Sequence, residues 1–186
     1  MFFLAVAVLL FVSIQLMPDL PLCRDWPARR FGSRLGLVHG AACVLAVLLM
    51  IAAWRASPAI PLYDPPLWSR IAGFILVLLA FIAMGIFLFR GWLRQLVRWP
   101  WPLAIALIAL GHLLIVGDVA GIVLFGGIFL YGVALLGLSW ANGVRPSPEW
   151  RAGHDLLSVL AGVALYGVGT QLHGILAGVP VMTLSG

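Results

Sequence analysis

Residues 90–140 read RGWLRQLVRWPWPLAIALIALGHLLIVGDVAGIVLFGGIFLYGVALLGLSW and are the most informative segment for the architecture of the chain. It opens with three arginines spaced four residues apart and continues into two nearly uncharged stretches, 101–116 and 119–140. Each is close to the roughly 20 residues that an α-helix needs to cross a hydrocarbon core about 30 Å thick. Only Gly117 and Asp118 separate them. Residues 90–140 therefore predict two membrane-spanning helices joined by a very short turn.

The rest of the chain repeats this pattern. Charged residues make up 9% of the chain, against about 25% in an ordinary soluble domain. The first apolar stretch lacks a basic start and a small-residue cleavage site, so we expect a retained helix and not a signal peptide. With 186 residues and short links, the chain has room for a single domain, 1–186. The sequence predicts an all-α polytopic membrane protein, a bundle of six transmembrane helices. The spans are expected at about 2–17, 35–54, 71–89, 101–116, 119–140 and 156–176.

The positive charges predict the orientation of these spans. All eleven are arginine, and the net charge is +5. Nine fall in alternate gaps between the apolar stretches, and only Arg55 and Arg70 fall on the other side. Short basic loops stay in the cytoplasm, so both termini are expected on the periplasmic or outer side. The charge is confined to loop edges, which indicates contact with anionic lipid and no nucleic-acid partner.

Two further patterns predict local structure. The outer loop 56–67 contains four prolines, so it is expected to be extended and not helical. Glycines spaced four residues apart allow helix backbones to approach closely. Such contacts are expected at the glycines of two helix ends: Gly32, Gly36, Gly40, Gly174 and Gly178.

Two histidines in the predicted spans are candidate metal ligands. His112 and His173 each lie five residues before the glycine at the predicted outer end of their helix. At 1.5 Å per residue, both should lie roughly 7–8 Å below the outer surface. Two imidazoles at matched depth on different helices are what a haem iron, or another metal, needs for axial ligation. Arg55 and Arg70 lie near the same level and could pair with haem propionates. The alternative is that each histidine only hydrogen-bonds a neighbouring helix.

Other polar residues support weaker hypotheses. His39 and His154 lie at the inner side and form a second, weaker candidate pair, with Cys43 on the same helical face as His39. Histidines facing headgroups or water are the commoner alternative. Asp118 is expected to cap the helix that follows it. It could instead orient His112 as a partner at the same cofactor site.

Several motifs are absent from the sequence. It has no phosphate loop, no Gly-x-Ser-x-Gly, no His-Glu-x-x-His and no Cys-x-x-Cys-His. Hydrolases and covalently attached haem are therefore disfavoured, and any haem b would be held non-covalently.

The chain resembles a known family in two segments. Residues 98–129, RWPWPLAIALIALGHLLIVGDVAGIVLFGGIF, and residues 155–181, DLLSVLAGVALYGVGTQLHGILAGVPV, resemble the NnrU family. The resemblance implies a six-helix protein of the bacterial cytoplasmic membrane linked to denitrification. The same superfamily includes the 15-cis-zeta-carotene isomerase of plastids, a haem b protein, and His112 matches its proposed haem ligand. This chain departs from the pattern with Ala109 in place of a cysteine, and with Gln15 and Trp99 where the family often has histidine.

These observations leave two functions open. The first is an NnrU-like protein that binds haem b and serves redox or isomerase chemistry on an apolar substrate in the bilayer. The second is a non-enzymatic factor that assembles or maintains nitrite and nitric oxide reductases, which would then be its partners. The sequence does not decide whether the protein is an enzyme, and it favours a transporter least.

Overall fold

The computed structural model describes residues 1–20, 35–145 and 149–178. Within these ranges the regular secondary structure is helical, with an isolated β-bridge between Pro61 and Asp118 and no β-strand. The all-α prediction is confirmed. The six long helices are α1 (Phe2–Leu16), α2 (Leu35–Arg55), α3 (Leu67–Leu88), α4 (Pro100–Ile115), α5 (Val119–Ala141) and α6 (His154–Ala177). Two short helices, a 3-10 helix at Met17–Asp19 and a single turn at Leu93–Leu96, follow α1 and α3.

Helix ends follow the turn chemistry of the sequence. Pro100 opens α4, where a missing backbone N–H costs nothing. Gly153 and Gly178 flank α6 with positive φ angles of 81° and 76°, which glycine adopts without a steric cost. α3 begins at Leu67, four residues before the predicted 71. Its N-cap is Pro66, the last extended residue of the preceding loop. The predicted boundaries of the other long helices differ from the observed ones by no more than two residues.

Four of the long helices, α2, α3, α5 and α6, are long and apolar enough to cross a membrane. α1 and α4 are apolar but shorter. Large apolar side chains are exposed along the helices, including Leu37, Leu79, Leu130 and Ile175. Such a surface is stable in contact with lipid and not with water. The membrane class is thus supported, and the crossing of α1 and α4, with the orientation of the termini, stays a prediction.

The helices contact one another in a ring-like order. α1 packs against α2 and α5, α5 packs against α4, and α4 packs against α3. α3 also packs against α6. α2 and α6 meet at their C-terminal ends, where the indole of Trp54 donates to the carbonyl of Ala177. Of the four helices long enough to cross a membrane, α2 and α6 have the smallest share of buried residues.

Three of the five predicted glycines make no close helix contact. A Cβ at Gly36, Gly40 or Gly178 would meet no described atom within 4 Å, so the prediction for these three is wrong. Gly32 lies outside the described residues, and the prediction for Gly174 stays a prediction. The backbones instead come together where α3 meets its neighbours, at Gly73 against Gly111 and at Gly85 against Ser158.

The proline-rich outer loop is extended, as predicted, and lies over the turn between α4 and α5. The backbone N–H groups of Leu62 and Tyr63 donate to the carbonyl of Gly117 at 2.8 and 3.2 Å. The Tyr63 hydroxyl donates to the carbonyl of Val116 at 3.0 Å. A Cβ at Gly117 would overlap the Tyr63 carbonyl, so only glycine fits there. The loop thereby fixes the outer ends of α4 and α5.

At the opposite end, Asp155 joins α6 to the link between α3 and α4. Its carboxylate accepts the backbone N–H groups of Trp92 and Leu93 at 3.1 and 2.8 Å. Because these are the first donors of the short helix, the carboxylate acts as its cap.

Candidate functional site

The structure brings His112 and His173 together. The rings belong to α4 and α6, both of which pack against α3. The ring centres are 6.3 Å apart and the ring planes are inclined by only 15°. Both side chains are half-buried. The two imidazoles that the sequence predicts at matched depth are therefore neighbours in the structure.

His112 is held in one tautomer by its own helix. Its Nδ1 lies 2.7 Å from the carbonyl oxygen of Ile108. A carbonyl oxygen only accepts, so Nδ1 carries the proton and donates it. In a neutral ring the Nε2 lone pair is then available to a ligand, which is the usual arrangement of a metal-binding histidine.

An aromatic side chain fixes the plane of the same ring. Phe125 of α5 stacks on His112 with ring centres 4.3 Å apart and planes inclined by 19°. Trp54 of α2 meets Phe125 edge-on at 6.1 Å. Three helices in addition to α6 thus supply side chains around the histidine pair.

The end of α6 that carries His173 is tied to α2. Arg55 donates from a terminal guanidinium nitrogen to the carbonyl of Ile175 at 3.2 Å, and Trp54 donates to the carbonyl of Ala177 at 3.3 Å. The last carbonyls of a helix have no partner inside it, so these donors satisfy groups that would otherwise face lipid. The carbonyl that Arg55 contacts belongs to Ile175, two residues after His173, so Arg55 lies near the predicted site.

Arg70 and Asp118 have other partners. Arg70 donates to the carboxylate of Asp64 at 2.8 Å and to the carbonyl of Pro65 at 3.1 Å. Asp118 accepts the backbone N–H of Gly121 at 2.8 Å and so caps α5, as predicted. The carbonyl of Ile108, and not Asp118, bonds the ring of His112. The observed role of Asp118 is the cap of α5.

The inner histidines have separate surroundings. His39 lies 3.4 Å from the sulfur of Cys43, whose thiol donates to Gln15 of α1 at 3.3 Å. His154 accepts the backbone N–H of Arg90 at 3.2 Å through Nδ1. Across the described ranges, no group of three or more His, Cys, Asp or Glu side chains is placed to hold a metal ion at either end of the helices. His39 and His154 have different neighbours, so the structure gives no support to a shared inner site.

A cavity of about 450 Å³ opens at the arginine-rich end of the helices, which the sequence predicts to be the inner one. His39 and Gln15 line it, together with arginines from the link before α4 and aromatic side chains from α3, α4 and α5. His112 and His173 are not among its lining residues, so this cavity is distinct from the histidine pair.

Sequence reasoning missed three of these neighbours. Phe125 carried no signal, because a phenylalanine in an apolar helix is equally compatible with lipid contact. Trp54 lies at a helix end, where tryptophan is typical of a membrane interface, and its indole in addition joins α2 to α6. Gln15 accepts from the thiol of Cys43, and nothing in the sequence pairs these two residues.

The outer pair offers a defined donor set. The ring centres of His112 and His173 are 6.3 Å apart in a stacked arrangement, and Ile108 accepts the hydrogen bond at Nδ1 of His112. Imidazole nitrogens are donors that haem iron takes from proteins, so these two side chains are the residues that would hold a non-covalently bound haem.

Comparison with known proteins identifies the family. No curated protein and no solved structure shows significant similarity to this chain. The family model described as NnrU protein matches residues 3–181, nearly the whole length. That match covers α1 to α6, including both outer histidines. The chain therefore belongs to the NnrU family.

Proposed function

We propose that the protein is a six-span haem b protein of the bacterial inner membrane, and that His112 and His173 would hold the haem. It would serve redox or isomerase chemistry on an apolar substrate. The observation that carries the proposal is the facing pair of imidazoles, 6.3 Å apart on two helices that are distant in sequence. Buried polar side chains in membrane helices are rare and are functional by default.

The short turn after α4 supports six crossings. α4 ends at Ile115 and α5 begins at Val119, so only three residues connect them. Three extended residues reach at most about 10 Å, far less than a hydrocarbon core of about 30 Å. If α5 crosses the membrane, the C-terminal end of α4 must lie at the same membrane surface as the start of α5. α4 packs along both α3 and α5, which supports a crossing of its own.

The charge distribution supports the orientation. Arg55, Asp64 and Arg70 lie at the end where the proline-rich loop covers Gly117. The arginines of the other end adjoin the start of α6, where Arg90 lies 4.0 Å from Glu149. Cytoplasmic loops are enriched in arginine, so the second end is the inner one and the histidine pair lies near the periplasmic surface.

Each residue around the pair has a distinct part in this proposal. His112 would present Nε2 to the iron while Ile108 holds the proton on Nδ1. Phe125 would keep the ring from rotating, and Arg55 would hold the end of α6 and offer a positive charge to a propionate. When bound, haem b supplies an iron that can change oxidation state or bind an electron-rich ligand. An apolar substrate would reach the site from lipid between α2 and α6, which are in contact chiefly at their outer ends.

The test is the absorption spectrum of the full-length protein, purified in detergent after expression with ample haem. We expect a Soret band, with sharp α and β bands after reduction by dithionite, as for a low-spin haem with two histidine ligands. A featureless spectrum from monodisperse, helical protein would overturn the proposal. In that case the function would be sought in assembly of the reductases.

Four histidine variants locate the haem. His112→Ala and His173→Ala should each abolish the low-spin spectrum. His39→Ala and His154→Ala are the matched controls and should leave it unchanged, because these side chains have other neighbours. Unchanged haem content in both outer variants would show that the ligands lie elsewhere.

A further inference from the structure

The inner cavity is lined by both arginine and apolar side chains. Arg94, Arg98 and Arg145 belong to the lining, and among its described residues there is no aspartate or glutamate. The two salt bridges between described residues include none of these three side chains. The described lining is therefore positively charged, at the predicted cytoplasmic surface.

Two of the arginines are held in place by aromatic rings that also line the cavity. The guanidinium of Arg94 lies 5.5 Å from the ring centre of Phe87 and donates to the Phe87 carbonyl at 2.7 Å. That of Arg98 lies 4.9 Å from the ring centre of Trp99. The indole of Trp99 is fixed in turn by donating to the carbonyl of Val144 at 3.0 Å. Arginine side chains that are already ordered lose less entropy when they bind an anion.

Part of the lining is apolar. Leu135 and Leu138 of α5 and Trp101 of α4 line the same space, together with Tyr131 of α5. Polar side chains, Gln15, His39, Ser139 and Asn142, line it as well. A volume of about 450 Å³ is within the usual range for small-molecule sites, about 300–1,000 Å³. It is enough for a headgroup and part of an acyl chain, and not for a whole lipid.

We propose that this cavity binds the headgroup of an anionic phospholipid from the inner leaflet. The phosphodiester would be bound by Arg94, Arg98 and Arg145, and the first part of an acyl chain would lie against Trp101 and Leu135. Guanidinium groups bind phosphate oxygens in pairs, and basic pockets between membrane helices at the cytoplasmic side favour anionic headgroups. This site is independent of the haem proposal, because it lies at the other end of the helices.

The experiment is native mass spectrometry of the full-length protein with an equimolar mixture of dioleoyl phosphatidylglycerol and dioleoyl phosphatidylcholine. We expect one phosphatidylglycerol to be retained in preference to phosphatidylcholine. Arg94→Gln and Arg98→Gln should each weaken retention by about fivefold, the effect of one arginine near an anionic headgroup. Arg98→Lys keeps the charge and should lose less.

Arg151→Gln is the matched control. It removes the same charge at the same side of the membrane from an exposed residue that does not line the cavity, and retention should not change. Equal retention of the two lipids by the unmodified protein, or an equal loss in Arg151→Gln and Arg98→Gln, would overturn the proposal. So would displacement of phosphatidylglycerol by millimolar inorganic phosphate, since the site would then recognise a free anion. Helical content and monodispersity of each variant exclude loss through misfolding.

Discussion

Gly85 of α3 lies directly against the backbone of Ser158 of α6. A Cβ built on Gly85 would overlap the Ser158 carbonyl oxygen and come within 3.1 Å of the Gly162 nitrogen. A Cβ built on Gly162 would come within 2.6 Å of the Cα of Ile82. In lipid no hydrophobic force drives helices together, so their association depends on such close backbone contact. The α3–α6 contact therefore holds the first half of α6, while Trp54 and Arg55 of α2 hold the end that carries His173.

Gly85→Ala should destabilise the protein strongly. The added methyl group meets backbone atoms, which cannot rotate away as a side chain would, and overpacking of this kind costs about 1–3 kcal/mol. We expect a lower thermal unfolding midpoint in dodecyl maltoside. Gly167→Ala, on α6 with nothing within 4 Å of its Cβ, is the control and should leave the midpoint unchanged or raise it. Equal midpoints for the two variants would contradict the close packing.

Asp118→Ala should destabilise the turn between α4 and α5. The variant loses the carboxylate that accepts the Gly121 N–H, and loss of such a cap costs about 0.5–2 kcal/mol. Asp118→Asn keeps an accepting oxygen at the same position and should retain most of the stability. The measurement is the free energy of unfolding in mixed detergent micelles. If the two variants lose the same amount, the negative charge matters and the hydrogen bond does not.

Several features of the fold follow from the sequence alone. The boundaries of the long helices, the extended proline loop and the cap at Asp118 all depend on neighbouring residues in the chain, and local chemistry predicts them. The matched distance of His112 and His173 from their helix ends can also be read from the sequence, whereas the contact between the two rings is seen only in the structure.

The contacts between helices do not follow in the same way. Core-facing and lipid-facing side chains are both apolar, so the helices lack the polar face that marks the buried side of a soluble helix. The spacing of Gly36 and Gly40 does not indicate which helix they contact, and a Cβ at either position would meet no described atom within 4 Å. Phe125 was missed for the same reason, since its stacking partner lies on another helix.

Phe125→Leu should weaken haem binding without removing it. The ring stacks on His112, and an aromatic contact of this kind contributes about 0.5–1.5 kcal/mol, which corresponds to a loss of affinity of about two- to tenfold. Haem titration into the haem-free protein measures it. Phe129→Leu, one turn further along α5, is the control and should bind haem normally. A larger loss in Phe129→Leu would place the haem against a different part of α5.

Labelling of introduced cysteines decides the orientation of the chain. In a background with both native cysteines replaced by alanine, Ala59→Cys lies in the exposed outer loop and Val144→Cys lies after α5 at the arginine-rich end. A membrane-impermeant maleimide should label Ala59→Cys in intact cells and Val144→Cys only after the membrane is opened, because the arginine-rich loops stay in the cytoplasm. Labelling of both after solubilisation shows that each thiol is reactive. The reverse pattern would place the histidine pair at the cytoplasmic surface. Labelling of both cysteines in intact cells would show that the chain between residues 59 and 144 does not cross the membrane an odd number of times.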